Sequence, residues 1–201
     1  MTFLERGGIR LVPLTLSHVT PEYLSWINGE MERRYRGPKA FPSIIEEVQH
    51  YVVNSKRSDH LVCAIETTLG LHIGNISLNP INWVHGNAEL SILVGSKHQR
   101  RGFGKAAIKA LSEHCFNSMG LKRLWAESPN PAFTKMMIDL GWTQEGIKRE
   151  AFLLDGLHTN IYCWGLLASE FRAQTREGNQ GVVPQNPSKP VFRQIEGGKL
   201  S

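Results

Sequence analysis

The sequence predicts a mixed α/β domain, strands packed with helices. Three observations carry this. Strand-like alternating runs and amphipathic helical runs succeed one another from Ile9 to Leu167. The run Asn87–Val94 leads through a basic, glycine-punctuated turn into a helix. Asp155-Gly156, between two further alternating runs, is a strong hairpin signal.

Taken in order, residues 9–14 alternate as a first strand, with Pro13 marking an edge or strand end. Thr20-Pro21-Glu22 combines a hydroxyl cap with proline at the first helical position. The helix it opens carries Tyr23, Leu24, Trp26 and Ile27 and stops near Gly29, and a polar, basic segment runs on to Gly37-Pro38. Ser43, with Glu46 three residues later, reads as a capping box for a second helix over 43–58. Residues 61–66 and 71–78 read as antiparallel strands, 79–86 as a loop and 87–94 as the next strand. A helix over 103–118 closes at Gly120, a strand follows over 122–127, and a short helix over 131–140 closes at Gly141. Residues 145–153 and 158–167 flank the hairpin turn.

The domain is expected over residues 1–171, and 172–201, rich in Gly, Pro, Asn and Gln, as a flexible extension. The net charge of +5 is concentrated in that extension, so it says little about nucleic acid, and no basic–aromatic interleaving supports such a partner. No apolar run approaches the ~20 residues that span a bilayer, and residues 1–8 lack the apolar core of a signal peptide. A cytoplasmic protein, bound to neither membrane nor nucleic acid, is therefore expected. Cys63, Cys115 and Cys163 are scattered through apolar segments and read as buried thiols, with no disulfide framework or metal site.

The most informative stretch is the turn. Gln99-Arg100-Arg101-Gly102-Phe103-Gly104 places two glycines at a helix N-terminus, with Lys97 and Lys105 adding positive charge. Backbone N–H groups and the helix dipole make such a turn a pyrophosphate cradle. Gly102-x-Gly104-x-x-Ala107 also fits a dinucleotide-binding fingerprint, with Glu127 near the position of a ribose-binding acid. Against it, residues 97–101 separate strand from glycines, and too few strand–helix units follow.

The same six residues resemble the Q/R-x-x-G-x-G/A signature of the GNAT N-acetyltransferase superfamily, and the element order resembles that fold over residues 9–171. Within it, Tyr23-Leu-Ser-Trp-Ile-Asn28, Ile73-Gly-Asn-Ile76, Trp83-Val-His85 and Phe152 with Asp155-Gly156 are similar to the branch of ribosomal-protein and sugar N-acetyltransferases. The resemblance implies a sheet of about six to seven strands with a splayed parallel pair. It also implies acetyl-CoA as co-substrate, no metal, and direct transfer to an amine in a ternary complex.

Carried over residue by residue, the resemblance gives the pantetheine arm and acyl carbonyl to the backbone of Ile92, Leu93 and Val94. The pyrophosphate falls to Gln99, Arg100, Arg101, Gly102, Phe103, Gly104 and Lys105, and Asn130 contacts the arm or caps its helix. Glu89 is the first candidate base, since a carboxylate in a mostly apolar strand needs a purpose or a partner. Its plainer reading is a salt bridge or a substrate-orienting group. Glu127 is the second candidate, or else a solvated strand-end acid. Trp26, Arg33, Tyr35 and His85 are the acceptor-side candidates, and Arg33, Arg34 and Arg36 form a cluster suited to an anionic acceptor, with packing the plain reading for Trp26 and solvation for a single arginine. The sequence departs from the family pattern at Phe133, where a small residue is usual, and at Met137, where a proton-donating Tyr often stands. The acceptors that follow are a nucleotide-linked amino sugar or other small amine, a protein N-terminus, or a polyamine. A catalytically weak acyl-CoA-binding module is the reading from another class. A homodimer, with the extension arming a neighbouring subunit through Val191-Phe192, is a further arrangement the sequence allows.

Overall fold

The computed structural model describes residues 2–30, 34–35 and 42–179. One eight-stranded sheet, in the order β1-β2-β3-β4-β5-β6-β8-β7, organises the chain. Its first half comprises β1 (Leu4–Arg6), β2 (Ile9–Pro13), β3 (Leu61–Thr67), β4 (His72–Asn82) and β5 (Asn87–Val94), all antiparallel neighbours. The second half is β6 (Arg123–Ser128), β7 (Thr143–Leu154) and β8 (Leu157–Leu167), with β8 between the other two. Among the described residues, the helices flanking it are α1 (Pro21–Ile27), α2 (Ile45–Asn54), α3 (Phe103–Asn117), α4 (Pro131–Asp139) and α5 (Ala168–Asn179).

The main core lies between the sheet and α3. Ala107, Ile108, Leu111 and Cys115 recur at helical spacing, and all are buried against Ile65, Ile76, Leu90 and Leu124 from the strands. Burying a side chain of this size contributes about 1.5–3 kcal/mol. The opposite face is covered by α1 and α2, where Tyr23, Trp26 and Val48 pack on Leu93. Thr20 caps α1, its hydroxyl accepting from the Tyr23 N–H at 3.2 Å, with Pro21 behind it. Asp155 (φ 50°) and Gly156 (φ 81°) form the β7–β8 turn in the left-handed conformation that a two-residue hairpin needs.

The structure differs from the sequence reading at four places. The sheet has an eighth strand, because Leu4–Arg6 pairs with β2; a three-residue strand carries too little alternation to be seen. β4 continues through Asn79-Pro80 to Asn82, where a loop is expected, with the register shifting between Leu78 and Ile81. Ser43 is not a helix cap: α2 begins at Ile45 without a side-chain cap. Its backbone instead exchanges two hydrogen bonds with the Asn28 side chain, each 2.8 Å, tying the end of α1 to the start of α2. Finally, α5 continues past Arg172, the expected start of the extension, to Asn179. The rest of that segment, Val191 included, lies outside the described residues, as do Arg33 and Arg36.

Candidate active site

β5 is held along its whole length on one side and only briefly on the other. Its pairing with β4 reaches Val94, opposite Gly74. Its parallel pairing with β6 covers only Asn87, Ala88 and Glu89, the last opposite Trp125. β6, meanwhile, stays paired with β8 as far as Ser128. The two strands therefore part at Glu89, and Ile92, Leu93 and Val94 lie along one wall of the resulting gap. Alternation sends Leu90 into the α3 core, with Ile92 and Val94 packed on the same side, and Leu93 onto Trp26 and Tyr23.

The turn beyond Val94 is shaped by backbone conformation. Arg100 (φ 60°) and Gly102 (φ 84°) both adopt left-handed geometry, and only at Gly102 is that free of strain. α3 then starts with no side-chain cap, leaving its first N–H groups for another acceptor. Gln99 braces the turn, its side-chain amide donating to the Val94 carbonyl at 2.9 Å. A Cβ on Gly104 would stand 3.4 Å from the Met136 sulfur and 3.7 Å from Ile92 and Val94, so Gly104 lets α3 lie close to the wall of the gap. Phe103 packs half-buried against the main core. Of the cations, Lys105 is paired with Asp139 at 2.7 Å and Lys97 lies 4.0 Å from Glu22. Among the described residues, Arg100 and Arg101 are exposed and have no acidic partner.

At the apex stand two carboxylates. Register places Glu89, Trp125, Glu127 and Cys163 on one face of the sheet. Glu127 accepts a hydrogen bond from the Lys148 ammonium and lies 3.9 Å from the Cys163 sulfur. Among the described residues, Glu89 forms neither an ion pair nor a side-chain hydrogen bond. Its partial burial raises its pKa above the ordinary carboxylate value, and the negative Glu127 adds to this, while Lys148 opposes it. The Glu127 carboxylate likewise raises the Lys148 pKa. Burial, then Glu127, pushes the Cys163 thiol up, so this is no activated nucleophile.

The remaining candidates are dispersed. Asn130 caps α4, its Oδ1 accepting from the Ala132 N–H at 2.9 Å. Phe133 packs half-buried against the core, and Met137 is wholly buried within it. Trp26 is buried beneath the turn: a Cβ on Gly95 would come within 2.6 Å of its indole. Tyr35 is half-buried with the Arg34 guanidinium 5.7 Å from its ring centroid. His85 is exposed in the β4–β5 turn, at the far end of β5 from Val94, and is not brought to the gap. The structure adds one residue missed in the sequence, Lys148 on Glu127, and pairs the guanidinium of Arg34, from the basic segment after α1, with Asp155 at the hairpin tip at 2.6 Å. No local spacing links either pair. Among the described residues, no cluster of three or more His, Cys, Asp or Glu could hold a metal ion, and no helix is long and apolar enough to cross a membrane.

A family model described as an acetyltransferase (GNAT) domain matches residues 9–143, which include β5, the turn, α3 and β6. The chain belongs to the GNAT acetyltransferase family. It is 26% identical over 101 residues to a spermidine N(1)-acetyltransferase of Vibrio cholerae, covering 49% of this chain and 58% of that protein. It is 30% identical over 101 residues to an uncharacterized N-acetyltransferase p20 of Bacillus licheniformis, covering 49% and 57%. The match thus spans less than two thirds of either relative. Among solved structures, the Vibrio cholerae spermidine N-acetyltransferase in complex with CoA and spermine superposes with TM-score 0.75 at 20% identity, over 82% of this chain and 98% of that one. The microcin C7 self-immunity acetyltransferase MccE, in complex with acetyl-CoA and AMP, gives 0.67 at 20% identity, over 80% and 92%. At that identity the likeness establishes the GNAT fold.

Proposed function

We propose that this GNAT chain transfers an acetyl group from acetyl-CoA directly to a primary amine of a small molecule. One observation carries the reading: the β5–β6 ladder ends at Glu89, leaving at the apex of the gap a half-buried carboxylate that forms no ion pair among the described residues. The chain also fits the co-substrate. The uncapped α3 N-terminus, the left-handed Gly102, and Arg100 and Arg101, which have no acidic partner among the described residues, suit a pyrophosphate. When bound, acetyl-CoA supplies an activated acyl group and a thiol leaving group.

The chain's own residues do the rest. The backbone of Ile92, Leu93 and Val94 positions the arm and polarises the carbonyl, an oxyanion-type device. Gln99 keeps the turn in register with Val94, Phe103 and Gly104 seat α3 against that wall, and Lys105 acts through Asp139. Asn130 orients the start of α4. Glu89 takes the proton from the incoming ammonium, directly or through a water, so that a neutral amine reaches the carbonyl. Its raised pKa suits a base working near neutrality. Met137, a buried thioether, donates no proton.

Acceptors worth testing are nucleotide-linked amino sugars, short peptides and linear polyamines, the last suggested by the spermidine-acetylating relatives. The test is CoA thiol release with such a panel, each product checked for one added acetyl group. Acceptor-dependent release supports the reading. Silence with CoA binding intact favours a non-catalytic CoA-binding module, and silence without CoA binding overturns the proposal.

A further inference from the structure

The carboxylate that shares the Glu89 face beyond the last β5–β6 pair is already matched by a cation of the chain itself, since Glu127 holds Lys148. Away from the gap, Glu145 holds Arg123 at the closed end of the β5–β6 ladder and Asp155 holds Arg34 at the hairpin tip. Among the described residues, Glu89 has no such cation. An acceptor amine approaching Glu89 thus meets one unpaired negative charge, with the Lys148 ammonium seated on the neighbouring carboxylate. A linear polyamine carries further ammonium groups along its length, and each needs a carboxylate to offset its lost hydration. The nearest one, Glu127, is taken.

We propose that Lys148 fixes the charge class of the acceptor: by occupying Glu127 it admits amines with a single cationic centre and turns away linear polycations. The proposal rests on the acetyltransferase reading above and narrows it. Lys148 comes from β7, where the register against β8 shifts between Gln144 and Gly146, so that Gly146 stands opposite Cys163 and Lys148 opposite Ile161. That bulge fixes which β7 side chains share the Glu127 face. The side chain is about half exposed, at 53%, so it can be replaced without opening the core. An ammonium already seated beside the acceptor position repels a second one and leaves a neutral or anionic substituent unopposed.

The test compares kcat/KM for spermidine and for an uncharged-tail monoamine such as benzylamine, in the wild type, Lys148→Gln, Lys148→Arg and Glu127→Gln. The wild type should prefer the monoamine. Lys148→Gln should shift the ratio toward spermidine by about tenfold or more, the scale of one like charge removed from a partly exposed site. Lys148→Arg should keep the wild-type ratio, and Glu127→Gln, which removes the carboxylate but not the lysine, should shift it further toward the monoamine. A wild type that uses both amines equally, or an unchanged ratio in Lys148→Gln, overturns this proposal and leaves the acetyltransferase reading standing. Silence from every variant with both amines, and with the wider amine panel, would sink both.

Discussion

Glu89 joins a cost to a use. A carboxyl whose pKa is raised on folding favours the folded state only in its neutral form. That contribution is full below the ordinary glutamate pKa and is lost as pH rises through the raised folded value. Glu89→Gln should therefore melt higher than the wild type near neutral pH, with the gap narrowing in acid, as a thermal scan against pH would show. The same substitution should lower kcat by about 10²–10⁴-fold and abolish the rising acid limb of the pH–rate profile, since the base works deprotonated. A variant that gains stability while losing turnover marks a residue retained for chemistry; one that loses stability marks a structural acid. Burial acts in the same direction on the cysteines, pushing Cys63 and Cys115 up to about 12. Thiol titration of the native protein should find both unreactive until the chain unfolds.

Among the elements, the turn and α1 form one unit through Gly95 and Trp26. Since a Cβ on Gly95 would sit 2.6 Å from the indole, Gly95→Ala should cost about 1–3 kcal/mol, the usual penalty for overpacking. It should weaken CoA binding as well, because the displaced ring lies directly under the turn. Pairing it with Trp26→Leu should recover much of both losses, and a double-mutant cycle measures the coupling. Most of this layer was legible in the sequence, because β5, α3 and the Asp155-Gly156 hairpin carry strong local signals: alternation, helical periodicity and a turn dipeptide. What escaped depends on distance. Lys148 reaches Glu127 only through the β6–β8–β7 order and a bulge, and neither leaves a mark in the spacing of the two residues. Ser43 looks like a cap locally, yet its backbone is claimed by Asn28 from the preceding helix. Trp26, placed with the acceptor residues by the family resemblance, is buried under Gly95, which accords with the packing reading its helical spacing suggested.

For the molecule as a whole, α5 closes the fold against the α3 end of the core. Phe171 meets Phe116 at 5.4 Å between ring centroids, Arg172 donates to the Phe116 carbonyl, and Gln174 donates to the Gly141 carbonyl. Phe171→Ala should lower the melting temperature, at a cost of up to about 3 kcal/mol for this half-buried ring, with the CoA turn unaffected. The sheet has a weaker line elsewhere. Its five-stranded and three-stranded leaves are stitched at β5–β6 by three register pairs, Asn87 with Arg123, Ala88 with Leu124 and Glu89 with Trp125. On the proposed reading, a co-substrate held by the backbone of β5 on one side and by α4 on the other would act as a rivet across this seam. Its binding energy is then shared with a joint far from the pyrophosphate, and amide exchange along β6 and β8 should slow on CoA addition together with that of the turn. The short ladder that opens room for chemistry thus makes the cohesion of the sheet itself a readout of occupancy.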